Sequence, residues 1–524
     1  MTGPDTAREE AAPAARLLGR WLHDWLLCAA IAAAVTISCL FWMLDHPYFG
    51  ILDAPQQCHM AHNVRLLDAR THLFAPFLDN RARPGFILML APWWFSTDPA
   101  VHCWFQAIVL LAVPLAIVIQ LVRRITGSLL PSVLVVLAMT SSPSVLGNYF
   151  VHGQAEPYLL LGMTLMLLAM WNRLECGAPA GRAARWAEGA TAACAALLIY
   201  TTKEPGGAFL GLYVVGVLLL GWGAGLGFKA GFRRLLPLTA INMAGFIVLL
   251  VFYLRLGQTY TAGNQSAYTL DAASLARNTK RLLCYMIDTK IYTFAGVLAF
   301  VMASHVLAFV AGPAKEVERL RRVVAWGVFF LLGFAVMNSV LVPWRNFDAR
   351  YFLAGNACAS VSVALAIFAA FHVARFFGGI SLRLLAGHLG ALVLALLLVH
   401  AAYGYVVGAV SEGHVRQQFA ASYDDLFSHV ATHTPSNGTV YFMMETAWPE
   451  VAENTELSLL HLYGRPDINC VFPDSAEDFD APGLIAVPRT EKLPMNYARM
   501  PVNTAGSVLF YEQVQVRAAG SPVL

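Results

Sequence analysis

Apolar runs of membrane-spanning length recur from Trp25 to about Val410, separated by short polar and often basic stretches. A bilayer core of about 30 Å needs roughly 20 apolar residues in a helix. The runs at 25–44, 101–122, 129–146, 157–172, 188–203, 207–222, 235–253, 291–311, 323–342, 351–372 and 384–408 reach or approach that length. Helices are predicted for all of them, because in lipid the backbone polar groups must be satisfied within the segment. "PGFILMLAPWWF", Pro84–Phe95, is only about half a span. It reads as re-entrant or interfacial, which leaves about eleven spans.

After about Ser411 the pattern changes to polar and turn-rich. "NGTVYFMMET", "GLIAVPR" and "SVLFYEQVQV" read as short strands, and Asn437-Gly438 is a turn signal. The expected organisation is an N-terminal segment over 1–24, a transmembrane region over 25–410 with a long outer loop at 45–84, and a small α/β domain over 411–524. The first apolar helix lacks an A-x-A-like cleavage site just after it, so it is expected to remain as an anchor.

Composition supports this reading. The 524 residues are 58% hydrophobic and 13% charged, about half the charge content of soluble domains. A net charge of +3, with no basic tract or interleaved aromatics, argues against a nucleic-acid partner. Cys28, Cys39, Cys194 and Cys358 lie in apolar runs as small hydrophobes, and a disulfide among Cys58, Cys284 and Cys470 stays open.

Charge sets the expected sidedness. Arg8, Arg16 and Arg20 precede the first span, which places the N-terminus in the cytoplasm. Later basic clusters are Arg123/Arg124, Arg173/Arg182/Arg185, Lys229/Arg233/Arg234, Lys315/Arg319/Arg321/Arg322 and Arg375/Arg383. Two spans separate each cluster from the next, as a cytoplasmic position for all of them requires. The C-terminal domain then falls outside, and the expected setting is the bacterial plasma (inner) membrane.

With this topology, isolated charges collect on the outer side. Asp53 sits in "HPYFGILDAPQQCHMAHN", and Arg81 and Arg83 end the same loop in "LDNRARPG". Glu156 lies in "GNYFVHGQAEPY", Lys203 and Glu204 in "YTTKEPGG", and Arg345, Asp348 and Arg350 in "VPWRNFDARYFLAG". Ordinary explanations exist for each. The arginines can anchor helix ends at lipid headgroups, Asp348 can pair with them, and Lys203 with Glu204 can cap a turn. His59, His62 and His152 read as loop histidines, and no helical histidine pair of metal-ligand spacing is expected. Asp53 and Glu156 are harder to dismiss, since each stands without an adjacent base beside an apolar run. A carboxylate at the outer surface can act as a general base toward a hydroxyl. Nearby cations can hold a phosphate and stabilise charge as it leaves. A polyprenyl-phosphate sugar donor fits these terms, with its lipid tail between spans and its head at the interface.

The motifs also resemble those of the membrane-embedded GT-C glycosyltransferases, in the branch of protein O-mannosyltransferases and the lipid A aminoarabinose transferase. An acidic residue in the first outer loop, before a basic-Pro-apolar element, is matched by Asp53 and "RARPGFILML". "SSPSVLGNYFVHGQAEPYLLL" matches an SP…(D/E) element with Glu156 in the acidic place. "TTKEPGG" matches a TK-x-P turn, and "ARYFLAG" an RY-x-L element containing Arg350 and Tyr351. Relatives often carry an acidic pair in the first loop, whereas Ala54 follows Asp53 here, and Glu156 replaces a commoner Asp.

The resemblance implies a GT-C-like polytopic fold and a glycosyltransferase acting on the extracytoplasmic face, with inversion. Asp53 is then the catalytic base, and Glu156 supports the acceptor or a metal. Arg83, Lys203 and Arg350 contact the donor phosphate, with Arg81 and Arg345 as further cations. Tyr351, Asp348 and Glu204 are supporting residues. The acceptor hydroxyl belongs to a glycan, lipid or protein, membrane lipids surround the enzyme, and a divalent metal is compatible with the site but not required. Competing readings are a flippase or transporter of a lipid-linked or anionic substrate, an enzyme that polymerises or ligates oligosaccharides, and a subunit that keeps the fold without the chemistry.

Overall fold

The computed structural model describes residues 24–37, 40, 92–93, 95–96, 98–140, 155–179, 181–202, 205–264, 272–288, 314–340, 342, 349–377, 428–442, 459, 463–471, 483–488, 503–505 and 508–512. The protein is an α-helical integral membrane protein. Among the described residues, six helices are long and apolar enough to cross a bilayer. The predicted spans at 291–311 and 384–408 lie outside the described residues.

Helix α1, Asp24–Ile37, is a shorter apolar helix. Helix α2 begins as Pro99–Phe105, passes through π-helical Gln106–Ala112 and continues as Val113–Thr126. Asp98 starts it by accepting the Ala100 N–H at 2.9 Å. The π segment has a local cause. Pro114 brings no N–H and would crowd the carbonyl four residues back, and a wider turn just before it relieves both. Gly127, at φ 69°, ends the helix in the left-handed region that glycine adopts most readily.

The chain continues as α3 (Leu130–Thr140), α4 (Glu156–Cys176), α5 (Arg182–Thr202), α6 (Gly206–Gly223), α7 (Phe228–Asn264), α8 (Ala272–Asp288), α9 (Ala314–Ser339) and α10 (Leu353–Phe377). A 3-10 turn, Ala349–Phe352, leads into α10.

Small residues let the helices approach closely, as expected where lipid supplies no hydrophobic drive between spans. Gly216 lies against the Phe329 ring, Gly333 against Cys358, and Gly162 against Ala195 and Leu198. Around them Trp171, Trp326, Phe329 and Phe330 form one aromatic cluster, with ring centroids 5.5–5.9 Å apart. The outward side chains of α6 and α7, such as Leu218, Ile247 and Val251, are exposed and apolar, as a lipid-facing surface should be.

The contacts sort the helix ends into two groups. At one end, Arg123 pairs with Asp24 at 2.6 Å, Arg173 with Glu188 at 2.5 Å and Arg322 with Glu175 at 2.9 Å. Arg124 donates to Asn172 at 3.0 Å and Arg234 to the Leu174 carbonyl at 2.6 Å. His372, near the close of α10, lies 3.1 Å from Glu316 at the start of α9. The basic clusters at Arg123/Arg124, Arg173, Arg234 and Arg319–Arg322 thus share one end of the bundle, as the sidedness argument requires. The starts of α4, α6 and α10 and the ends of α5 and α9 lie at the other.

The C-terminal region contains a five-stranded sheet in the order β2-β1-β3-β5-β4. Its strands are β1 (Thr439–Phe442), β2 (Asn469–Val471), β3 (Gly483–Pro488), β4 (Asn503–Ala505) and β5 (Val508–Glu512). β1 runs parallel to β2 and β3, while β5 is antiparallel to β3 and β4. A short helix, α11 at 428–433, precedes β1. Arg465 ties this region together. It donates to both Asp467 oxygens at 2.8 and 2.9 Å and to the carbonyls of Ala431 and Thr434. Asp467 also accepts the N–H of Asn437, the residue at φ 58° in the turn before β1. The hydrogen-bonded Arg465 fork holds the Asp467 carboxyl well below the usual carboxylate range.

The structure departs from the sequence reading in two places. The stretch 254–290, left between the predicted spans 235–253 and 291–311, contains the last turns of α7 and all of α8. At 37 residues, α7 is about 55 Å long, well beyond a 30 Å hydrocarbon core. A helical histidine pair also exists: His429 and His433 are four residues apart on α11. Both fall in a polar segment, where an apolar-periodicity reading finds no helix.

Candidate functional site

The site is built at the end of the bundle away from the basic clusters. Glu156 opens α4 in its first turn, followed by Pro157, whose missing N–H costs nothing at a helix start. Negative charge there is favoured by the helix dipole. Glu156 is only 3% exposed, unusual for a carboxylate, because removing its charge from water costs several kcal/mol before partners repay it. The next side chain, Tyr158, is also buried, and its ring lies 6.5 Å from that of Phe105 in α2.

The turn Ala349–Phe352 lies at the same end. It carries Arg350 in its backbone, a half-buried Tyr351 and a fully buried Phe352. Leu282 of α8 packs against Phe352, with Tyr351 and Val342 alongside. Helix α8 buries one stripe, Ser274, Asn278 and Leu282, and exposes Arg277 and Lys280 on its other side. Arg277 donates to Ser274 at 2.7 Å. The structure therefore brings a basic, amphipathic helix against the turn that holds Arg350 and Tyr351.

Polar side chains line the facing ends of α9 and α10. Asn338 is 3% exposed and Asn356 4%, and Ser360 donates to the Asn356 carbonyl at 2.9 Å. The Asn338 amide packs directly on Gly355, where any Cβ would collide with it. Among the described residues its oxygen and nitrogen have no hydrogen-bond partner. A buried amide of this kind can read a hydroxyl or phosphate oxygen.

Of the predicted site residues, Glu156, Arg350 and Tyr351 are placed at one end of the bundle. For Arg350 this refers to the backbone alone. Asp53, Arg81, Arg83, Lys203, Glu204, Arg345 and Asp348 lie outside the described residues. Thr202 and Pro205, on either side of Lys203-Glu204, belong to that same end, where Gly206 meets the Ile199 carbonyl. Sequence reasoning missed Asn338, Asn356, Arg277 and Lys280. A signal was present for each: asparagines inside apolar spans, and basic residues on a helix with one apolar stripe. Among the described residues, no group of three or more His, Cys, Asp or Glu side chains is arranged to hold a metal ion.

No protein-family model matches the sequence, and a search of curated proteins finds no match. Solved structures do match. The chain aligns with the crystal structure of ArnT from Cupriavidus metallidurans bound to undecaprenyl phosphate at a TM-score of 0.54 and 13% identity. The alignment covers 94% of this chain and 98% of that one. A weaker likeness, with a TM-score of 0.39 and 10% identity, is to the Archaeoglobus fulgidus oligosaccharyltransferase in complex with Zn and sulfate. It covers 89% of this chain and 68% of that one.

Proposed function

We infer that this chain, which has the GT-C fold, is a membrane glycosyltransferase that takes its sugar from a polyprenyl-phosphate donor. The observation that carries the reading is the buried carboxylate of Glu156, at the same bundle end as the Arg350–Tyr351 turn and opposite the basic clusters. The undecaprenyl phosphate bound by the ArnT structure supports a lipid-phosphate donor.

In this reading the reaction runs as an in-line displacement. Asp53 removes the proton from an acceptor hydroxyl, and the oxygen attacks the anomeric carbon. The bond from that carbon to the phosphate oxygen breaks, and polyprenyl phosphate leaves with its electron pair, inverting the centre. Arg83, Lys203 and Arg350 neutralise the departing phosphate, with Arg81 and Arg345 as outer cations. Glu156 orients the acceptor, and Tyr351, Asp348 and Glu204 position the donor-binding cations. The active face is extracytoplasmic, in a bacterial plasma membrane.

The test is transfer by purified protein in lipid nanodiscs, supplied with a panel of polyprenyl-phosphate sugars and scored by product mass. Asp53→Asn is expected to lower turnover at least about a hundred-fold, the usual contribution of a general base. Arg350→Ala is expected to cost about 2–4 kcal/mol in kcat/KM, the scale of a lost anion-stabilising donor. Near wild-type turnover by Asp53→Asn would reject this mechanism.

A further inference from the structure

A group of side chains at the basic end takes no part in holding the bundle together. Helix α5 starts with Arg182, Arg185 and Trp186 all exposed, and α7 with Phe228, Lys229, Phe232 and Arg233 exposed. Trp186 is 70% exposed and Phe228 66%, and the Phe228 ring stacks on Phe232 at 6.3 Å. Other arginines at this end turn inward: Arg173 to Glu188, Arg322 to Glu175 and Arg234 to the Leu174 carbonyl. The carboxylates of Glu175 and Glu188 are thereby engaged. Among the described residues, Arg182, Arg185, Lys229 and Arg233 form no ion pair.

These exposed residues share one level. Helices α5 and α7 run parallel from the basic end and meet where Gly245 packs on Ala196. Counting back from that contact at 1.5 Å per residue, the four cations fall within a band about 8 Å deep. Both helix starts flank the end of α4, tied to it by Arg173–Glu188 and by Arg234. Helix α7 buries the smallest share of its apolar stretch among the six spans, so its side chains are turned toward lipid. Cations and exposed rings at one level, at the end of a lipid-facing span, make a surface matched to phospholipid headgroups.

We propose that the starts of α5 and α7 form a binding surface for anionic phospholipid, with Arg182, Arg185, Lys229 and Arg233 holding phosphodiester oxygens. Trp186, Phe228 and Phe232 lie against the glycerol and the upper acyl chain. Guanidinium groups suit this task because their forked donors match pairs of phosphate oxygens. The rings select a lipid over a soluble anion, which has no apolar body to cover them. The surface lies at the opposite end from Glu156 and the Arg350–Tyr351 turn, so it stands whether or not the sugar-transfer reading holds.

The experiment uses the full chain, purified in detergent and stripped of lipid. Dioleoyl phosphatidylglycerol or dioleoyl phosphatidylcholine is titrated in, bound lipid is counted by native mass spectrometry, and thermal unfolding is followed in parallel. The wild type is expected to bind the phosphatidylglycerol at least about tenfold more tightly than the phosphatidylcholine. In the combined variant Arg182→Gln, Arg185→Gln, Lys229→Gln, Arg233→Gln that preference is expected to fall to about twofold or less. Phosphatidylglycerol is expected to raise the unfolding temperature of the wild type and not of this variant. All four positions are exposed, and an unmoved unfolding temperature in phosphatidylcholine checks that the variant folds. If it does not fold, Arg185→Gln with Lys229→Gln serves instead, with the preference expected to fall at least about fivefold. No preference in the wild type, an undiminished preference in the folded variant, or displacement of the lipid by an equal concentration of free glycerol phosphate would overturn the assignment.

Discussion

Glu156 concentrates the residue-scale argument. Its carboxylate is buried at the start of a helix, a position whose desolvation cost has to be offset by the groups around it. Glu156→Gln keeps the shape and removes the charge. It is expected to lower turnover at least about a hundred-fold, well beyond any change in the unfolding temperature. Comparing the two measurements separates a functional carboxylate from a structural one. Gly355 makes the complementary case: Gly355→Ala forces the Asn338 amide aside and is expected to cost about 1–3 kcal/mol, read from thermal unfolding in detergent. The C-terminal region supplies two pH effects. Asp467 has its pKa depressed in the folded state, so its stabilising contribution is complete above the ordinary carboxylate range and is lost as pH falls through that range toward the folded value. His429 is also depressed, so the unfolded chain takes up the proton first. Its contribution is present above about pH 6.5 and declines as pH falls below that value. The His429 effect predicts a sheet region that loosens between pH 7 and pH 5, and the Asp467 effect a further loosening only below about pH 4, both measurable by hydrogen exchange. Glu156 was legible in the sequence because it stands alone before an apolar run. Asn338 was not, because one asparagine in "AVMNSV" barely changes the hydropathy of its window.

At the scale of elements, long apolar runs within the described residues mapped onto helices. The matches include 157–172 with α4, 207–222 with α6 and 351–372 with α10. Helix α8 was hidden because "AASLARNTKRLLCYMID" mixes basic and apolar residues and reads as a polar loop to any span-length criterion. The strand pattern near Asn437 was visible because a turn signal stood next to alternating apolar residues. The α5–α6 hairpin depends on close backbone approach. A Cβ on Gly206 would land on the Ile199 carbonyl, which is backbone and has little room to move. Gly206→Ala is therefore expected to reduce the monodisperse fraction on size-exclusion chromatography, whereas the same change at Gly211, which faces open space, is neutral.

At the scale of the whole molecule, the basic clusters and their acidic partners share one end, and the candidate site residues placed by the structure share the other. If the basic end is cytoplasmic, a membrane-impermeant thiol reagent added outside intact cells will label Ser339→Cys and spare Lys315→Cys. Labelling of Lys315→Cys alone would invert the orientation and with it the extracytoplasmic site. Positive-inside counting made this division legible, because arginines at span ends signal a side without revealing their contacts. Which arginine meets which carboxylate was not legible, since those pairings depend on helix packing between distant segments.

The cross-helix pairs Arg123–Asp24, Arg173–Glu188, Arg322–Glu175 and His372–Glu316 all belong to the basic end. Together they lash α1 to α2, α4 to α5 and α9, and α9 to α10, so the stem of the sheaf keeps these helices in step from one side of the bilayer.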